Sequence, residues 1–140
     1  MEGKEMKKAC FVLALLLMLS TLCSCGGYVK SYAATILITS GHGNEASMKF
    51  DTFKGSYNFK LKREDNAEHT LDYEAGLEQG EMKVYIGVDG GKELLFTVKG
   101  GESIAETIAL DAKYDDEKTI YILLETADKC VGGDFAFKYN

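Results

Sequence analysis

Glu81-Met82-Lys83-Val84-Tyr85-Ile86-Gly87-Val88-Asp89-Gly90-Gly91 is the stretch that decides the fold. Met82, Val84, Ile86 and Val88 alternate with Lys83, Tyr85 and Gly87, the period-two pattern of a strand with one face in a core. Asp89-Gly90-Gly91 then reads as a hairpin turn, because the tight two-residue turns need positive φ at positions where Gly and Asp are favoured. Leu94, Phe96 and Val98 follow as the returning strand.

Outward from this hairpin the pattern repeats. Ala33–Thr39 is a β-branched run. Met48, Phe50 and Thr52 alternate with polar neighbours, and so do Tyr57, Phe59 and Leu61. Leu71, Tyr73, Ala75 and Leu77 alternate with Asp72, Glu74 and Glu78, which share an outward, solvated face. Ile120, Ile122 and Leu124 form another strand, and Phe135, Phe137 and Tyr139 a last one opened by Gly132-Gly133. Ile104–Asp111 fits a strand or a helical face and is read as a strand from its neighbours. Strands at a spacing of about 8–12 residues suggest a sandwich or barrel. The chain is therefore read as all-β: an antiparallel, jelly-roll-like β-sandwich of about eight or nine strands over residues 33–140. Phe59, Leu61, Val84, Ile86, Phe96, Ile122, Phe135 and Phe137 are expected in its core.

The stretch 80–91, with Thr119-Ile-Tyr-Ile-Leu-Leu-Glu125 and Gly133-Asp-Phe-Ala-Phe-Lys-Tyr139, resembles bacterial pre-peptidase C-terminal-type domains over about half of the expected mature chain. That resemblance is one of hydrophobic spacing. It implies a sandwich and no particular activity.

The N-terminus carries a different signal. Lys7 and Lys8 precede the apolar run Phe11–Leu19, and Leu22-Cys23-Ser24-Cys25 follows. A basic region, an apolar region and a small residue before the cut make an export signal, read as an N-terminal signal helix. The tetrapeptide resembles the lipobox of bacterial lipoproteins. Ser24 is small where Leu22 is bulky, so Cys25 is the expected lipidation site. The division is then signal peptide 1–24, lipidated Cys25 with a tether to residue 32, and the sandwich from residue 33. The resemblance implies acylation, palmitate included, and a location on the outer face of the cell membrane, or the outer membrane in a Gram-negative host. Several acyl chains hold stably because each buried CH₂ contributes about 0.8 kcal/mol.

Composition narrows the function. The chain has 140 residues and a formal charge of −6. Removing residues 1–24 leaves 116; taking away Lys4, Lys7, Lys8, Glu2 and Glu5 leaves 13 basic and 20 acidic residues, a charge of −7. A chain this acidic is not expected to bind nucleic acid or to gain from anionic headgroups. Cys10 and Cys23 leave with the signal, so Cys130 is a lone thiol and is read as a small buried hydrophobe.

Chemistry-bearing motifs are absent from the sequence. The two histidines, His42 and His69, stand in no metal-ligand spacing, and no Gly-x-Ser-x-Gly elbow occurs, so neither metal, cofactor nor catalytic residue is expected. Ser40-Gly41-His42-Gly43-Asn44 reads as a loop. If Val84, Ile86, Ile120 and Ile122 point inward, then Tyr85, Tyr121 and Leu123 share an outer face, the candidate binding face. The expectation is a lipid-anchored, non-catalytic envelope module for an unknown protein or glycan partner; the alternative is a small exported enzyme or an accessory domain of a hydrolase.

Overall fold

The computed structural model describes Tyr28, residues 30–64 and residues 68–140. The signal segment, Cys25 and most of the tether lie outside the described residues. The described residues are all-β and antiparallel, as expected for the domain; the expected signal helix falls outside them. Its strands are β1 (Ser31–Thr35), β2 (Ile38–His42), β3 (Glu45–Lys62), β4 (Thr70–Gln79), β5 (Glu81–Val88), β6 (Gly91–Lys99), β7 (Ser103–Ala109) and β8 (Thr119–Tyr139), with one 3₁₀ turn at Ala112–Tyr114. β1 begins at Ser31, two residues before the expected domain boundary.

Two strands are far longer than the sequence pattern suggested. β3 absorbs both the Met48 and the Tyr57 segments, and β8 absorbs both the Ile120 and the Phe135 segments. They pair with each other along their lengths, from Glu45↔Lys138 to Lys62↔Thr119, with the register shifting between Phe53 and Gly55. The segment expected as one run over Ala33–Thr39 is instead two strands, parted at Ile36 by a φ of 49°. β1 pairs with β3 around residues 52–56, and β2 with residues 45–49. Gly55 has a φ of 120°, and a side chain there would meet the backbone of Ser31 and Tyr32.

Each long strand therefore serves two layers. In the first, the C-terminal half of β3 neighbours the N-terminal half of β8, followed by β5 and β6. In the second, the order is β2, the N-terminal half of β3, the C-terminal half of β8, β4 and β7. Phe96 of β6 crosses between the layers and stacks on Tyr73 of β4, with ring centroids 4.4 Å apart. Phe50, Phe53 and Phe135 form a second aromatic group where the strands turn from one layer to the other. Gly133 lies beneath the Phe50 ring, which occupies the place of a side chain.

Alternation along each strand puts one set of residues in the shared core. Leu61, Leu71, Met82, Val84, Ile120, Ile122, Leu124, Phe135 and Tyr139 are all fully buried. Every residue expected in the core is there, with Phe96 partly exposed at the β6 edge. The Asp89-Gly90 turn takes positive φ at both residues, 53° and 82°, as the hairpin reading requires. Ser103–Ala109 is a strand, which settles the ambiguous segment.

Candidate binding cleft

The outer face of the second layer carries three cross-strand rows. Ile38, Lys49, Asp134, Gly76 and Ser103 form one. Ser40, Ser47, Ala136, Glu74 and Ala105 form the next, and His42, Glu45, Lys138, Asp72 and Thr107 the third. The side-chain period of two makes each row a straight line across five strands, about 19 Å at a strand spacing of about 4.8 Å. The middle row is small except for Glu74, so the face is hollow there. A cleft of about 710 Å³ follows it, with Ser47, Ala136 and Ala105 along its lining and Glu74 among them.

Polar groups line this cleft with differing degrees of restraint. The Thr107 hydroxyl donates to Asp72 at 2.7 Å and the Asn140 amide to its other oxygen at 3.2 Å. These two hydrogen bonds, with the Lys138 charge nearby, hold the Asp72 carboxyl below its ordinary range. Lys138 lies 3.9 Å from Glu45. The Glu74 side chain is exposed and makes no hydrogen bond or ion pair among the described residues. At the β7 edge, Tyr73 donates to Glu106 at 2.7 Å; burial, then that bond, pushes the Tyr73 phenol up to about 12.

The sequence reading placed Asp72, Glu74 and Glu78 on an outward strand face, and they are there. It did not bring them together with Ser40, Ser47, Ala136 and Thr107, because those come from strands distant in sequence. It also read His42 as a loop residue. Ser40–His42 is strand, and Ser40 stands two residues from His42 on the same face. No hydrogen bond joins that pair among the described residues. Among the described residues, no group of three His, Cys, Asp or Glu side chains is placed to hold a metal.

Tyr85, Tyr121 and Leu123 lie on the outer face of the first layer, but not as the open face that the sequence reading proposed. Leu123 opposes Tyr85, and Tyr121 opposes Gly87. Leu123 is only 5% exposed, because Tyr28 lies over this face. The Tyr28 ring sits 4.9 Å from that of Tyr121. Its hydroxyl donates to the Gly91 carbonyl at 2.6 Å, and its carbonyl accepts from the Asn58 amide at 3.1 Å. Gly87 leaves the room that the phenol occupies. Cys130 is fully buried; burial raises its thiol pKa, and Asp128 nearby adds to the rise.

No protein-family model matches the chain, and no curated protein matches it. Among solved structures, one described as "CBM4 structure and function" is 13% identical over 77% of this chain and 81% of its own, with a TM-score of 0.40. A mutant of a family 29 carbohydrate binding module is 18% identical over 81% of this chain and 74% of its own, with a TM-score of 0.41. A protein from Neisseria meningitidis is 13% identical over 80% of this chain and 89% of its own, with a TM-score of 0.35.

Proposed function

We propose that this chain is a lipid-anchored, non-catalytic envelope module that binds a hydroxyl-rich polymer, a glycan, along the cleft of its second layer. The carrying observation is the straight, hollow row Ser40–Ser47–Ala136–Glu74–Ala105, flanked by carboxylates, hydroxyls and Lys138. An extended polar chain fits a groove that crosses five strands. Its hydroxyls both donate and accept, and the lining offers carboxylate acceptors, Ser and Thr hydroxyls and an ammonium donor. The ionised Asp72 carboxylate, held by Thr107 and Asn140, serves as a fixed acceptor for ligand hydroxyls. The anchor rests on the Leu22–Cys25 motif.

Two measurements test this reading. The full chain should be retained by peptidoglycan sacculi or by one polysaccharide of an envelope panel. Glu74→Ala should lower that retention about tenfold, the equivalent of about 1.4 kcal/mol, and leave unfolding within about 0.5 kcal/mol of the parent. Retention of no polysaccharide, or retention indifferent to Glu74, refutes the cleft. Turnover of a glycan, abolished by one substitution, refutes the non-catalytic reading. Separately, Cys25→Ala should abolish incorporation of a fatty-acid label; an unlipidated native N-terminus refutes the anchor.

A further inference from the structure

The two outer faces of the sandwich carry opposite charge, a property hidden by the overall acidity. On the second layer, the outward positions hold Glu45, Asp51, Asp72, Glu74, Glu78 and Asp134 against Lys49 and Lys138. On the first layer they hold Lys60 and Lys62 from β3, Lys83 from β5, and Lys92 and Lys99 from β6. The only acids in those outward strand positions are Glu81, opposite Lys99, and Glu125, which pairs with Lys92 at 2.8 Å. Lys60 and Lys83 make no ion pair among the described residues. The basic face also presents Leu94, which is 56% exposed.

Tyr28 is docked on this same basic face. It stands three residues after Cys25, and three residues span at most about 11 Å. We infer that the first layer lies against the membrane, with Lys60 and Lys83 on anionic headgroups, and that the acidic cleft consequently faces away from the bilayer. This rests on lipidation at Cys25 as proposed above. The acyl chains fix the depth, and the lysines fix which side is down. Near an anionic leaflet each basic side chain is attracted to the surface, and the attraction fades within a Debye length. The acidic face, repelled by the same headgroups, opposes the inverted arrangement. Tyr28 starts the tether on the basic face, and the lysine charges decide between that face and its opposite.

The experiment uses the lipidated protein in vesicles of phosphatidylcholine with about one third phosphatidylglycerol, carrying a headgroup quencher. Single probes are attached at Leu94→Cys or Ala105→Cys, the native Cys130 being buried. Intact mass first establishes acylation, so loss of the anchor is seen separately from loss of orientation. The expected result is at least threefold stronger quenching at position 94 than at 105. The ratio should collapse toward one with Lys60→Glu/Lys83→Glu, in pure phosphatidylcholine, and at molar salt. Equal quenching at the two positions in the acylated parent, or a ratio unaffected by charge reversal, overturns the inference. So does capture of the basic face by soluble polyglycerol phosphate while the vesicle ratio stays flat, which would make the partner a polyanion and not the bilayer.

Discussion

Removing the Phe96 ring should separate the two layers energetically while leaving the strand pairing in place. Phe96 lies 4.4 Å from Tyr73 and 6.4 Å from Phe137, all centroid to centroid, and both partners belong to the opposite layer. A core Phe→Ala change costs about 3–5 kcal/mol. Phe96 is partly exposed, which places Phe96→Ala at the lower end, about 3 kcal/mol. Phe96→Leu keeps most of the apolar area and loses the ring pairing, an effect of about 0.5–1.5 kcal/mol. Urea unfolding of the two variants, followed by circular dichroism, gives both numbers. A double-mutant cycle with Tyr73→Leu should return a coupling within the same 0.5–1.5 kcal/mol range, since the residues touch. A Phe96→Ala loss below about 1 kcal/mol, or no coupling to Tyr73, would refute the packing of β6 over β4.

Two further outcomes follow from buried titratable groups. Tyr73 and Tyr114 are both pushed up to about 12, each by burial first and then by the hydroxyl's bond to Glu106 or Glu93. Both should therefore be among the last of the eight tyrosines to ionise in an ultraviolet titration. Because their folded values lie above the ordinary 10.0, the stability they contribute is complete below pH 10 and is lost as pH rises toward 12; unchanged stability across that window would contradict the assignment. Cys130 should resist alkylation in the native protein and react fully in urea, since its sulfur is buried beside the Glu81 carbonyl at 3.4 Å; rapid native alkylation would contradict its burial.

What the sequence determined by itself was local. Period-two alternation identified the strand segments and their inward residues, because a pleated strand sends successive side chains to opposite faces whatever its partners are. The Asp89-Gly90 turn was legible for the same kind of reason: its positive φ values restrict residue type directly. The outward placement of Asp72 and Glu74 also came from alternation alone.

What only the tertiary structure decided was long-range. The Met48 and Tyr57 segments read as two strands because the bulge at Lys54-Gly55 interrupts the alternation, yet pairing with β8 carries the strand through it. The cleft was invisible because Ser40, Ser47, Ala105 and Ala136 gain their meaning from cross-strand register, which joins residues nearly a hundred positions apart. Tyr28 read as tether, since nothing local reveals that Gly87 and Asn58 make a seat for it. The charge of −6 likewise concealed a basic face, for a sum over the chain carries no direction, whereas folding sorts lysines and carboxylates onto opposite surfaces.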